Sequence, residues 1–261
     1  MYNATPAAAA AWRALFARVH ADLALEVEVI EHRWPQPIES LWDDARLFGA
    51  FMCGWPFTRS SEMQAIAAPV PSPPRYEGLP RYCSEFLSRE ANGWRRLEDC
   101  FGHRFGWMAA NSQSGFNAPR AHLARFMSAS RPALFSESIG PLGNPAKALE
   151  ALRQGKVDVV ALDSFYLDLL RHDEPAKLEG LGTLATTPWS PIPLLVAAPS
   201  IDRARVTRMR EHLLRIHRDE SYRPLLEAVL LDRFVAPDVG AYAALEQQAQ
   251  EAIASGYADI R

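Results

Sequence analysis

Two serines one residue apart, set in Asn111-Ser112-Gln113-Ser114-Gly115-Phe116-Asn117-Ala118-Pro119-Arg120, are the residues of this chain best suited to ligand chemistry. An apolar run, Phe105-Gly106-Trp107-Met108-Ala109, precedes them and a segment of helical spacing follows, so the stretch predicts a strand, a tight polar turn and a helix start. Ser114 is a plausible N-cap, and Pro119 falls early enough to be tolerated in the first turn. Free backbone N–H groups and the positive end of a helix dipole would face whatever lies in front of the turn, with two hydroxyls beside them. Together those groups suit a small oxyanion.

Other chemistries find little support. His103, His122, His172, His212 and His217 have no metal-binding spacing to one another or to a cysteine pair, and most stand beside Arg or Asp on predicted polar faces, which reads as solvated histidine. The serines form no Gly-x-Ser-x-Gly elbow, and neither a dinucleotide fingerprint nor a P-loop is present. Cys53, Cys83 and Cys100 are too few and too scattered for a disulfide framework or a structural zinc site, and read as small, partly buried residues. No metal and no cofactor is implied. The Arg-rich stretch from Arg203 to Arg218 reads as a solvated helix face or a docking surface, and Trp12, Phe16 and Trp42 as core.

The 261 residues, 48% hydrophobic and 23% charged, suffice for one large α/β unit or two lobes. A net charge of -3 and a pI near 6.2 supply no basic field, which argues against nucleic acid as a partner. No apolar run approaches the roughly 20 residues that span a bilayer. The N-terminus lacks the features of a signal peptide, so the expectation is a cytoplasmic chain or one whose start lies downstream of a leader.

Trp12, Leu15, Phe16, Val19 and Leu23 predict a helix over 7–23, followed by a strand over 27–30. A helix from about Ile38, with Leu41, Trp42 and Ala45 inward, leads to a buried strand over 47–52, which ends in a turn at Cys53-Gly54-Trp55-Pro56. The prolines from Pro69 to Pro74 predict an extended surface connection, neither helix nor central strand. Strand character returns over 82–89 and a short helix over 94–99. A regular alternation then follows: strand 105–109, helix 115–127, strand 133–136, helix 145–154, strand 157–162, helix 164–171. This predicts an α/β protein with mostly parallel sheets flanked by helices. In such a sheet ligands bind beyond the carboxyl ends of the strands, so the turns Asn111 to Gly115, Gly140 to Asn144 and Asp163-Ser164 should converge on one edge. Strands over 181–186 and 194–198 and helices over 202–217, 221–231 and 240–255 complete the chain. Different material on each side of the αβ block suggests an inserted lobe over 82–187, with 1–81 and 188–261 forming a discontinuous first lobe.

The order of landmarks resembles the substrate-binding proteins of phosphate, phosphite and phosphonate ABC transporters, of the type 2 periplasmic-binding-protein fold. The landmarks are Met1-Tyr2-Asn3; Cys53-Gly54-Trp55-Pro56; Tyr82-Cys83-Ser84; Leu97 to Gly102 leading to Asn111-Ser112-Gln113-Ser114-Gly115; Gly155-Lys156-Val157-Asp158 with Ala161-Leu162-Asp163; Pro191-Ile192-Pro193; and Phe234 with Tyr242. The resemblance implies two α/β lobes joined by crossing strands, a ligand cleft between them and closure by hinge motion. It implies a non-enzymatic, monomeric, periplasmic receptor that passes a small phosphonate-like or phosphate-like anion to an ABC permease. Asn111, Ser112, Ser114 and the Gly115 amide would hold oxyanion oxygens beside Gly140, Tyr82 would approach from the hinge side and Asp163 from the far wall. Tyr2, Cys53 and Gly54 would be the first lobe's contribution. The alternatives are a cytoplasmic ligand sensor and a pyrimidine-forming enzyme on the same fold.

Two departures from the family's pattern bear on the ligand. Gly140-Pro141-Leu142 stands where a Gly-Ser-His signature is common, and Pro145 replaces an expected serine shortly afterwards. The chain also begins where the family's first strand should be ending. The first departure predicts weaker oxyanion binding, or a ligand whose organic part uses Trp107, Trp55, Leu142 or Trp189. Asp163, if within hydrogen-bond reach of the ligand, would repel fully ionised sulfate and accept a hydrogen bond from a protonated phosphate or phosphonate, or equally from a ligand ammonium group, unless it only caps the helix at 164–171.

Overall fold

The computed structural model describes residues 2–30, 32, 36–60 and 62–261. Met1, which opens the first landmark, lies outside the described residues. The chain divides into two compact units, Met1–Arg81 with Pro191–Ala241, and Tyr82–Ser190 with Tyr242–Arg261.

In chain order the first unit holds helix α1 (Pro6–Asp22), α2 (Glu39–Trp42), strand β1 (Ala50–Met52), α3 (Gly54–Arg59) and β2 (Gln64–Pro71). After β3 (Arg81–Tyr82), the second unit runs β4 (Ser84–Arg89), β5 (Arg104–Gly106), a π-helical turn (Gln113–Asn117), α4 (Ala118–Ala124), β6 (Glu137–Ile139), α5 (Pro145–Arg153), β7 (Val159–Asp163), α6 (Ser164–Asp173), β8 (Leu181–Thr186) and β9 (Ser190–Pro191). The chain then returns through β10 (Leu194–Ala197), α7 (Arg203–Leu213), α8 (Arg223–Glu227) and β11 (Leu231–Val235), and ends with α9 (Val239–Ala254).

The first unit's sheet has the order β1-β10-β2-β11, and every neighbouring pair in it is antiparallel. α1 starts where Thr5 Oγ1 accepts a hydrogen bond from the Ala8 N–H at 2.9 Å and Pro6 occupies the first turn. It buries Ala8, Trp12, Leu15 and Val19. Pro69 and Pro71 lie inside β2, contrary to the expected surface connection. β2 pairs with β10 only over Gln64 to Ala67 and with β11 from Ala68 to Pro71, so the prolines sit where the strand has one partner and a missing donor is tolerated. β11 falls where the helix over 221–231 was expected to end; α8 stops at Glu227 and Leu230 takes a positive φ of 53°, which turns the chain into the strand.

Other expectations in this unit change as well. Val27 to Ile30 is not a strand: among the described residues no strand pairs with it, and Val29 and Ile30 are 53% and 57% exposed. α2 is a single turn, Ala45 is exposed, and Cys53-Gly54-Trp55-Pro56 opens α3 instead of forming a free turn. The Arg-rich helix α7 is not merely a solvated face. Arg208 donates to the Leu23 carbonyl at 3.0 Å, Arg210 Nε to the Ile66 carbonyl at 3.0 Å, and the Arg205 guanidinium lies 5.1 Å from the Phe48 ring centroid.

The second unit's sheet has the order β6-β5-β7-β4-β8. β5 pairs in parallel with β6 and β7, whereas β4 is antiparallel to both β7 and β8, so the strand directions are mixed where mostly parallel sheets were expected. The expected strand over 133–136 is displaced to Glu137–Ile139. Leu134 and Phe135 pack instead as buried loop, with Phe135 4.9 Å from Phe105, while the polar Glu137-Ser138 takes the sheet edge, where no buried face is required. Asp158, just before β7, ties the sheet together. Its carboxylate accepts from Arg104 Nε at 2.8 Å, from Arg104 Nη2 at 2.9 Å and from Arg89 Nη2 at 2.8 Å.

The C-terminal segment belongs to this second unit, whereas the residue pattern predicts 188–261 together in the first lobe. Its attachments explain the difference. Asn117 Nδ2 donates to the Leu245 carbonyl at 3.1 Å, Arg120 Nη1 to the Ala258 carbonyl at 2.6 Å, and the Leu134 N–H to the Arg261 carbonyl at 2.7 Å. Among the described residues no helix is long and apolar enough to cross a membrane.

Candidate functional site

In the second unit, β6, β5 and β7 run side by side in the same direction, so Ile139, Gly106 and Asp163 end on one edge of the sheet. The three turns do converge there. The Leu142 N–H donates to the Trp107 carbonyl at 3.0 Å and the Gly143 N–H to the Met108 carbonyl at 2.8 Å, which joins the turn after β6 to the one after β5. On the other side, Ser164 and Cys83 exchange two hydrogen bonds, from the Ser164 N–H to the Cys83 carbonyl at 2.9 Å and from the Cys83 N–H to Ser164 Oγ at 3.1 Å. That exchange sets Asp163 beside the strand start that carries the buried Tyr82.

Within the central turn the cap is Ser112, not Ser114: Ser112 Oγ accepts from the Gly115 N–H at 2.9 Å. The Gly115 amide expected for a ligand is therefore occupied by the protein. Glycine is required there, since a Cβ would stand 2.6 Å from Met108 Cβ. The first backbone bond of the helix is the wide one from the Asn117 N–H to the Ser112 carbonyl at 2.9 Å, so the Gln113 and Ser114 amides precede the intrahelical ladder. Ser112 and Ser114 are both buried, and Asn111 is half-buried at the entry to the turn. Ser112 retains a hydroxyl proton with which to donate.

Much of the turn's polarity serves α9. Gln113 and Asn117 are each 0% exposed and Arg120 is 4% exposed. Gln113 Nε2 donates to Gln248 Oε1 at 3.1 Å and Asn117 Nδ2 to Gln113 Oε1 at 2.8 Å, while Arg120 Nη2 donates to Asn117 Oδ1 at 2.9 Å. The spacing 113, 117, 120 is that of one helix face, a signal present in the sequence and overshadowed by the serines.

Asp163 caps α6: Oδ1 accepts from the Phe165 N–H at 2.7 Å and from the Tyr166 N–H at 3.1 Å. Gly140 is held beneath the Trp107 indole, where a Cβ would stand 2.4 Å from two ring atoms. Leu142, expected on a ligand wall, turns its Cδ1 onto β5, 2.9 Å from the place a Cβ on Gly106 would occupy. In the first unit, Cys53 is the N-cap residue of α3 and Gly54 its first residue, both buried. Tyr2 packs edge-on against Phe51 at 5.4 Å, and its carbonyl accepts from Trp12 Nε1 at 3.0 Å.

An open groove of about 470 Å³ in the first unit holds none of these residues. Its lining includes Trp42, Asp44, Arg59, Glu62 and Ser200. Asp44 precedes β1 and Ser200 follows the antiparallel β10, so the groove lies at the end of the sheet opposite Cys53.

The histidines divide. His122 is buried at 6% exposure, not solvated, with Nε2 2.7 Å from an Arg125 nitrogen. Burial and then the Arg125 charge push its pKa down to about 4, so it stays neutral at physiological pH. Among the described residues no group of three or more His, Cys, Asp or Glu side chains is arranged to hold a metal ion, and the three buried cysteines form no disulfide.

The two α/β units and the turns gathered at strand ends define the class of type 2 periplasmic-binding proteins. Several solved structures are similar to this one. The binding protein component of an ABC phosphonate transporter from Pseudomonas aeruginosa is 16% identical with a TM-score of 0.79, covering 95% of this chain and 82% of that one. A Prochlorococcus marinus protein in complex with methylphosphonate is 16% identical with a TM-score of 0.72, covering 91% and 90%. A Xanthomonas citri protein bound to ATP is 16% identical with a TM-score of 0.66, covering 94% and 92%. No curated protein matches by sequence. The family model for the periplasmic substrate-binding protein of phosphonate ABC transporters matches residues 5–242, and the chain belongs to that family. The family is a transport class and not an enzyme class; its members bind small ligands and deliver them to a permease.

Proposed function

We propose that this chain captures a phosphonate in the periplasm as a monomer and passes it to an ABC permease, without chemistry on the ligand. The observation that carries the reading is the buried Ser112 and Ser114 pair on the shared carboxyl edge of three parallel strands, in a member of a phosphonate-binding family. The Ser112 hydroxyl, Ser114, the Gln113 and Ser114 amides, Asn111 and Tyr82 supply donors to the oxyanion. The Gly115 amide acts through the Ser112 cap, and Gly140 acts by admitting the Trp107 ring. Tyr2, Cys53 and Gly54 belong to the other unit and enter the proposal through the family resemblance.

The energetics call for several of these donors at once. A helix terminus contributes about 0.3–1 kcal/mol to an exposed anion. Micromolar affinity needs about 8 kcal/mol. At roughly 1.5–3 kcal/mol per charge-assisted bond, three to five bonds are required. Asp163 has one oxygen committed to its helix. In this proposal its carboxylate disfavours a fully ionised oxyanion and selects one that can donate a proton. Titration calorimetry with methylphosphonate, phosphate, phosphite and sulfate at neutral pH tests this. Methylphosphonate should bind and sulfate should bind far more weakly. No heat from any anion would refute the capture reading, and equal affinity for sulfate would refute the role of Asp163.

A further inference from the structure

The turn after β6 lies directly against the serine turn, yet its side chains offer a ligand almost nothing polar. Gly140 has no side chain, Pro141 is apolar, and Leu142 is folded onto β5. Asn144 is the polar residue that remains, and its Oδ1 accepts from the Lys147 N–H at 2.9 Å as the cap of α5. Over this surface lies the Trp107 indole, seated on Gly140 and 5.5 Å from the Phe116 ring. The residue is anchored on both sides: its N–H donates to the Ile139 carbonyl and its carbonyl accepts from Leu142, each at 3.0 Å. Trp107, half-buried and fixed in this way one turn of chain from Ser112, places an apolar, polarizable ring among the strand-end turns.

An inorganic phosphate has four oxygens, and an oxygen turned toward that face would lose its hydrogen bonds to water without replacement. Such a loss typically weakens binding roughly 10- to 100-fold. A phosphonate places carbon at that corner and keeps three oxygens for the donors of the serine turn. We infer that Trp107, seated on Gly140, is a specificity-determining residue that selects phosphonates with an apolar or aromatic carbon substituent over inorganic phosphate. The inference rests on the capture reading above and names the ligand class within it.

Calorimetric titration of the full chain with phenylphosphonate, methylphosphonate and inorganic phosphate tests it, together with W107A and the ring-retaining W107F. The wild type should bind phenylphosphonate at least about tenfold more tightly than phosphate, as one poorly solvated oxygen requires. W107A should lower affinity for phenylphosphonate by a larger factor than for phosphate, bringing the ratio near one, and W107F should restore most of it. Phosphate binding as tightly as phenylphosphonate to the wild type would overturn the inference while leaving anion capture standing. An unchanged ratio in folded W107A would do the same. The wild-type comparison decides even if W107A fails to fold. Failure of all three anions to bind would overturn the capture reading, and this inference with it.

Discussion

Replacing Arg120 with methionine removes the charge that fastens the serine turn to the C-terminal segment. Arg120 is 4% exposed, and its guanidinium donates to the Ala258 carbonyl at 2.6 Å and to Asn117 Oδ1 at 2.9 Å and lies 5.1 Å from the Phe116 ring centroid. Two hydrogen bonds from a charged donor are worth roughly 1.5–3 kcal/mol each. Removing the buried charge returns part of that as relieved desolvation, and methionine recovers some apolar contact, which leaves a net loss of about 3 kcal/mol. At roughly 2–4 °C per kcal/mol for a chain near this size, R120M should melt about 6–12 °C below the wild type. The assay is differential scanning calorimetry beside methylphosphonate titration, because loosening the π-helical turn should also weaken binding. The exposed Arg223, which pairs with Glu220 at 3.1 Å, is the control, and R223M should cost under about 1 kcal/mol. An R120M melting point within about 2 °C of the wild type, with unchanged affinity, would refute the view that α9 and the turn form one cooperative structure.

Three further outcomes follow from the geometry. Burial pushes the Asp158 carboxyl up, but hydrogen bonds from Arg104 and Arg89 outweigh it and hold the pKa at about 2. A depressed carboxylate stabilises fully above its ordinary range, near 3.8, and that contribution disappears as pH falls toward 2. Melting curves between those pH values should therefore drop less steeply for D158N than for the wild type, with about 1–2 kcal/mol involved after allowing for the partly exposed Arg104. G140A drives a methyl into the Trp107 ring and should cost about 1–3 kcal/mol, with a changed near-UV signal from the displaced indole; an unaltered spectrum would contradict the packing. D163A uncaps α6, where one oxygen serves two amides, and should lower stability by about 1–2 kcal/mol in urea denaturation while narrowing the difference between sulfate and methylphosphonate affinity.

Local chemistry was the legible part of this chain. Thr5-Pro6 and Asn144-Pro145 announce helix starts, periodic apolar residues mark α1, α5 and α6, and the alternation from Phe105 to Arg171 already implies turns gathered at one sheet edge. These features depend on neighbours within a few residues, so the sequence carries them whole. The order of landmarks likewise resembled the phosphonate-binding family. Pairing and docking were decided only in three dimensions. Pro69 and Pro71 look incompatible with a central strand until the staggered partners β10 and β11 are seen. Leu134 and Phe135 read as a strand, yet the edge position went to Glu137 to Ile139. The docking of Gln113, Asn117 and Arg120 against α9 and the chain beyond it was not legible, because a polar side chain declares its hydrogen-bonding capacity in sequence but not its partner. Ser112 and Ser114 thus suggested the chemistry, while long-range contacts decided which of their neighbours are engaged within the protein itself.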